Sequence, residues 1–388
     1  MTEPERAPSA ADILAFTPVN LITGFLGSGK TTLLKRLLQS PALADTAVLI
    51  NEFGEVGLDH ELLERIDENM VLLQSGCLCC TIRGELAQSI RDLHERRARG
   101  DIPAFRRLVI ESTGLADPLP ILTTITADPV LRHHFRLGLV VTTVDAVNGR
   151  SQLDTQPESV KQAAVADRLI VTKTDLATAA ATELLVARLQ RLNPLAPLTL
   201  SSDEMIDPGG LFGHDLFDVD RKSDEVQRWF ESERKALAAS SRRHLHAGNH
   251  RHQQHGCHDH NHDPNRHGDD IEAMALTFDQ PIDWIAFGLW LSMLLNRHGE
   301  QILRVKGILA IEGEPAPVAV HAVQQLVHAP VHLNAWPSSE RRSRIVFICK
   351  GLNAAVIRRS FAAYVLKSGR EAKTVAVIAE TASHVANP

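Results

Sequence analysis

Gly24-Phe25-Leu26-Gly27-Ser28-Gly29-Lys30-Thr31 has the pattern Gly-x-x-x-x-Gly-Lys-Thr, and it stands between an apolar run and a helical pattern. The run is Val19-Asn20-Leu21-Ile22, and the helical pattern carries Leu33, Leu34, Leu37 and Leu38. No other feature restricts the fold as much, because the pattern functions only at a strand–loop–helix junction of an α/β sheet. Glycines let backbone N–H groups wrap phosphate oxygens, and the helix N-terminus adds positive potential. Lys30 then reaches the β- and γ-phosphate oxygens, and the Thr31 hydroxyl ligates Mg2+.

Further short apolar runs follow: Val48-Leu49-Ile50, Val71-Leu72-Leu73, Leu108-Val109-Ile110, Leu139-Val140-Val141 and Leu169-Ile170-Val171. Near-continuous apolar runs are the mark of strands buried on both faces of a parallel sheet. Between them Ile82, Leu86, Ile90 and Leu93 recur at helical spacing, as do Leu184, Leu185, Leu189 and Leu192. This alternation predicts a P-loop NTPase fold, a doubly wound and mostly parallel α/β sheet with ligands at the carboxyl ends of its strands.

With 388 residues the chain exceeds one comfortable core, so more than one domain is expected. Composition breaks near Arg242: nine histidines lie between His244 and His267, with Cys257 and interleaved Gly, Asn and Asp. Such a tract cannot build a core and reads as a linker. A second pattern starts at Ala273: a strand to Phe278, a helix over 282–296, strands around Leu303–Leu309, Val318–His321 and Ile345–Ile348, and a helix over 353–366. That order suggests a smaller α+β, ferredoxin-like domain. The expected units are 17–220, the His-rich linker 242–270, and 271–367. Residues after Gly369 give no firm signal.

Net charge is −6, which gives a nucleic-acid partner no global electrostatic support. No window reaches the roughly eighteen uninterrupted apolar residues of a spanning helix. Met1 to Asn20 lacks the basic and apolar regions of a signal peptide. Together these features predict a cytoplasmic protein without a membrane partner.

Three of the five cysteines fall in Gly76-Cys77-Leu78-Cys79-Cys80. They are too close in sequence to be ordinary disulfide partners, and they precede the helical pattern of Ile82, Leu86 and Ile90. A helix N-terminus lowers thiol pKa and favours the thiolate. Thiolates select Zn2+, Cu(I) or iron–sulfur iron over hard cations. Three of them leave a tetrahedral Zn2+ one ligand short, which suits a site that must release its metal. Imidazoles of the linker can hold Zn2+, Ni2+, Co2+ or Cu2+ with little discrimination.

Two more strand ends carry chemistry. Glu111-Ser112-Thr113-Gly114 closes the run Leu108–Ile110; Glu111 can hold Mg2+, and the Gly114 N–H can sense a γ-phosphate. Thr172-Lys173-Thr174-Asp175 closes Leu169–Val171. A carboxylate there accepts from N1–H and the 2-amino group of guanine, a donor pair that adenine lacks, so Asp175 would select GTP.

These motifs, with Asn51-Glu52-Phe53-Gly54-Glu55 and Glu111-Ser112-Thr113-Gly114-Leu115-Ala116-Asp117-Pro118, follow one another as in a known family. The chain resembles the CobW-type metallochaperone GTPases, relatives of the urease and hydrogenase nickel-insertion GTPases. The match is strong over 17–202. It continues through a C-terminal CobW domain with Lys306-Gly307, Trp336 and Val346-Phe347-Ile348 as landmarks. The resemblance implies a GTPase with Lys30, Thr31 and Glu111 as catalytic residues. Its implied nucleotide contacts are Gly24, Gly27, Ser28, Gly29, Thr32, Gly114, Thr172, Lys173 and Asp175. Glu52 is implied as an extra metal ligand beside Cys77, Cys79 and Cys80, and Glu55 is a weaker candidate.

The implied function is GTP-coupled delivery of a metal, Zn2+ first and Co2+ or Ni2+ as alternatives, to a client metalloprotein. Within the same class stands a cobalt-related role in cobalamin synthesis or metalloenzyme activation. Outside it stands a nucleotide-binding metal buffer or sensor that needs no client. One departure is Thr172, where most GTPases have Asn, and a weaker tether between base loop and phosphate loop is expected. A second is Cys349-Lys350-Gly351, where the family more often has glycine directly after Phe-Ile.

Overall fold

The structure, a computed structural model, describes residues 16–51, 71–75, 82–201, 211–212, 271–336, 341–366 and 373–378. Glu52, Glu55, Cys77, Cys79, Cys80 and the histidine tract lie outside the described residues.

Strands β1 (Thr17–Gly24), β2 (Thr46–Asn51), β3 (Val71–Ser75), β4 (Arg107–Glu111), β5 (Phe135–Asp145), β6 (Arg168–Thr172) and β7 (Leu198–Leu200) form one sheet. Their spatial order is β3-β2-β4-β1-β5-β6-β7, and every pairing is parallel. The apolar runs take this form because both faces are covered: Val19, Leu21, Val48, Leu49, Leu108, Val109, Val141 and Ile170 are buried. Helix Lys30–Leu38 covers the sheet through Leu33, Leu34 and Leu37. Leu86, Ile90 and Leu93 do the same from helix Ile82–Arg99. In helix Ala179–Leu192 the inward stripe is Thr182, Leu185 and Leu189, while Leu184 points to solvent at 55% exposure. From β1 the chain runs first to one side of the sheet and then to the other. The carboxyl end of β1 is therefore the switch point at which open α/β sheets bind ligands.

A second sheet contains β8 (Ile271–Phe278), β9 (Ile302–Leu309), β10 (Val318–Val323), β13 (Ser343–Lys350) and β14 (Lys373–Ile378), with the short β11 (Leu326–Val327) and β12 (Val331–His332). The order is β11-β10-β9-β13-β8-β14, with β12 beside β10, and all pairs are antiparallel. Helix Trp284–His298 links β8 to β9, and helix Ala354–Tyr364 links β13 to β14. The core order β9-β13-β8-β14 is that of a split βαβ, ferredoxin-like layer, extended at one edge by β10. The sequence gives no firm signal for β14, which pairs along β8.

Alternation along these strands sends successive side chains to opposite faces. Met274, Leu276, Ile345 and Phe347 pack with Trp290 and Phe361 of the two helices. Ala273, Ala275, Val346 and Ile348 join the core of the parallel-sheet unit instead. Two cations on β9, Arg304 and Lys306, face that unit and are buried. The Arg304 guanidinium donates to Val165 O, at the C-terminus of helix Pro157–Val165, and pairs with the Asp167 carboxylate. Lys306 Nζ lies 3.4 Å from the same carboxylate, which also accepts from the Val140 N–H at 3.0 Å. A cation at a helix C-terminus is favoured by the helix dipole. Burial pushes the Asp167 carboxyl up, but the charges of Arg304 and Lys306, the Val140 N–H and His328 together hold it down at about 2.

No helix among the described residues is long and apolar enough to cross a membrane.

Candidate nucleotide site

The phosphate loop joins β1 to helix Lys30–Leu38 at the switch point. Gly24 (φ 141) has no room for a side chain: a Cβ there would lie 2.4 Å from both Thr143 O and Thr143 Oγ1. Gly29 caps the helix at φ 86 with no side-chain hydrogen bond at its N-terminus. Such an end presents backbone N–H groups to an anion. Lys30 is buried and its ammonium donates to Gly24 O (2.9 Å) and Phe25 O (3.2 Å), so it lies over the loop. Thr31 is half-buried, and Thr32 is exposed on the next position of the helix.

Thr31 Oγ1 donates to Glu111 Oε1 at 2.5 Å. Parallel pairing of Ile22 with Glu111 puts the carboxylate at the tip of β4, beside the loop. The next residue is locked to β1, as Ser112 N donates to Ile22 O (2.9 Å) and Ser112 Oγ to Thr23 Oγ1 (2.9 Å). Gly114 lies against the backbone of Leu26, where a Cβ would approach Leu26 N to 2.6 Å. Behind it the buried Gln162 donates to Gly114 O (3.1 Å) and Ala116 O (3.0 Å).

The third strand tip shows the form that the tether takes. Thr172 Oγ1 donates to Ser28 O at 2.7 Å, so the tether between base loop and phosphate loop is present and runs through a hydroxyl instead of an amide. Thr is short enough for this because Gly29 brings the loop against it, with a Cβ position only 3.5 Å from Thr172. The Ser28 hydroxyl is buried and shares a hydrogen bond with Thr143 Oγ1 at 2.7 Å. Lys173 has a left-handed backbone, φ 56. Its ammonium donates to Asp145 Oδ2 at 2.8 Å. Asp175 follows in an exposed turn, its carboxylate open to solvent.

Gly24, Gly27, Ser28, Gly29, Lys30, Thr31, Thr32, Glu111, Gly114, Thr172, Lys173 and Asp175 therefore lie at or just beyond the carboxyl ends of β1, β4 and β6, along one edge of the sheet. Thr143, Asp145 and Gln162 were not foreseen. For Thr143 and Asp145 the signal is polar side chains at the carboxyl end of an otherwise apolar strand, Thr142-Thr143-Val144-Asp145, on the ligand-binding edge; Gln162, on helix Pro157–Val165, carries no such signal. Burial raises the Asp145 carboxyl, but hydrogen bonds from Lys173, the Asn148 side chain and the Val147 and Asn148 N–H groups leave it below the usual value.

Among the described residues no group of three His, Cys, Asp or Glu side chains is arranged to hold a metal ion. The hard oxygen pair of Thr31 and Glu111 matches Mg2+, which takes few protein carboxylates and phosphate oxygens.

Comparison with known proteins agrees with this arrangement. Residues 18–199 match the CobW/HypB/UreG nucleotide-binding domain, and residues 271–365 the cobalamin synthesis protein cobW C-terminal domain. A protein named zinc chaperone YjiA from Escherichia coli is 34% identical over 346 residues, 89% of this chain and 97% of its own length. One named zinc chaperone CobW from Pseudomonas aeruginosa is 31% identical, covering 89% of this chain and 90% of its own. The crystal structure of Zn(II)-bound YjiA GTPase from E. coli superposes with a TM-score of 0.61 at 28% identity, over 90% of this chain and 99% of that one. The chain belongs to the CobW/HypB/UreG family of P-loop GTPases and carries both its nucleotide-binding domain and the CobW C-terminal domain.

Proposed function

We propose that this protein is a cytoplasmic metallochaperone. It binds one zinc ion through Cys77, Cys79 and Cys80, with Glu52 as a further ligand, and passes it to a client metalloprotein in step with GTP hydrolysis. The observation that carries this reading is a shared edge. β3 ends at Ser75, on the same side of the parallel sheet as Gly24 and Glu111, and Cys77 is the second residue after it in sequence. Helix Ile82–Arg99 begins two residues after Cys80, which favours thiolates. Zinc as cargo is supported by that donor set and by the names of the similar proteins.

In this reading Lys30 and the amides of the Gly24–Thr31 loop bind the phosphates. Asp175 accepts from guanine, and the Gly114 N–H contacts the γ-phosphate. Thr31 and Glu111 would hold Mg2+, which supplies charge neutralisation at the β- and γ-oxygens when bound. The histidine tract would raise the metal concentration near the cysteines.

Replacing Lys30 by Ala separates the two sites. Phosphate release from GTP should fall to background while zinc binding by the cysteines persists. Hydrolysis by Lys30→Ala at the unmodified rate would show that the loop is not the catalytic site.

A further inference from the structure

Asp145 stands at the tip of β5, paired in the ladder with Thr172 of β6, and is 1% exposed at its side chain. Its two oxygens have separate tasks. Oδ1 accepts from the Val147 N–H (2.7 Å) and the Asn148 N–H (3.3 Å), closing the turn after β5. Oδ2 accepts from Asn148 Nδ2 (3.1 Å) and from Lys173 Nζ (2.8 Å). The two turns are also joined through the backbone, Ala146 N to Thr172 O at 2.9 Å. Lys173 needs such support: a non-glycine residue at φ 56 is strained and persists only where its surroundings impose it. Leu176 N donates to Lys173 O at 3.1 Å, so the turn that carries Asp175 is built directly on that strained residue.

We infer that Asp145 is a positioning residue for base recognition. Through Lys173 it fixes the turn on which Asp175 meets the guanine edge, and it does so from another strand. The inference rests on the reading of Asp175 as the guanine acceptor. Base selectivity, not nucleotide affinity alone, is then the property that Asp145 controls. The phosphate loop holds any nucleoside diphosphate, while only a correctly placed Asp175 distinguishes guanine.

The test is competition of GDP and ADP against a fluorescent GDP analogue on the full-length protein, beside thermal melting. Asp145→Asn keeps the size and the Oδ1 acceptor and removes the charge facing Lys173. The expected result is a fall of about tenfold in the GDP-over-ADP preference, equivalent to about 1.4 kcal/mol, with ADP affinity unchanged. Combined with Lys173→Gln the losses should be non-additive, since both variants break one pair. If Asp145→Asn does not fold, Lys173→Gln removes the same pair from its exposed side and should lower the preference alike. A preference unchanged in either variant, or equal losses for GDP and ADP, overturns the positioning role. Equal binding of GDP and ADP by the unmodified protein, matched by Asp175→Asn, overturns the guanine reading and this inference with it.

Discussion

At Thr172 one hydroxyl replaces what an amide does in most GTPases. It donates to Ser28 O and, at 3.3 Å, to Val144 O, joining β6, β5 and the phosphate loop at a single buried atom. Removing it leaves the carbonyl of the fully buried Ser28 without that donor, and a lost hydrogen bond of this kind costs about 1 kcal/mol. Thr172→Val, which keeps the shape, should therefore weaken binding of GTP and ATP alike by about fivefold, as measured by competition titration. Selectivity should not change, since this tether holds the loop and not the base. An unaltered affinity would mean that the loop needs no such anchor. The motif residues were legible because each stands at a strand tip in a fixed pattern. The hydroxyl tether was not, because its length depends on how close Gly29 comes to Thr172.

Among elements, β9 has the least expected role. Strand patterning places Ile302–Leu309 in the smaller sheet but does not say that Arg304 and Lys306 turn toward the other unit and meet Asp167 there. Nothing local marks Asp167 as their partner, 137 residues away in sequence from Arg304. The apolar strands and amphipathic helices were readable from period alone. Leu184, one position off the buried stripe, and β14, a six-residue strand placed by pairing with β8, were not. Breaking a buried pair from one side leaves a charge uncompensated and costs about 3–5 kcal/mol. Arg304→Met should show that loss at pH 7 in chemical denaturation. The folded Asp167 carboxyl, at about 2, lies below the ordinary value of 3.8, so the folded state binds this proton less readily than the unfolded one. Its contribution is complete above about pH 4 and disappears as pH falls toward 2. The gap between Arg304→Met and the unmodified protein should narrow over that interval. A gap that stays constant down to pH 2 would assign the contact no electrostatic role.

For the whole molecule, the organising feature is a parallel sheet with every strand tip on one edge. β3 and β1 are three places apart in the order β3-β2-β4-β1, which at normal strand spacing is about 14 Å. β2 lies between them and leads in sequence from Asn51 into Glu52. A chaperone requires this neighbourhood to be energetic as well as geometric. GTP and zinc must each change the affinity for the other by the same factor. The direct test is zinc affinity by competition with a chromogenic chelator, on protein lacking residues 243–269 so that the histidines do not mask the cysteines. It is compared with a non-hydrolysable GTP analogue, with GDP and without nucleotide. The GTP-analogue and GDP forms should differ by about 1–3 kcal/mol, roughly 5- to 150-fold, and Cys79→Ser with Cys80→Ser should abolish the difference. Identical zinc affinity in all three states would contradict it and leave a passive metal buffer.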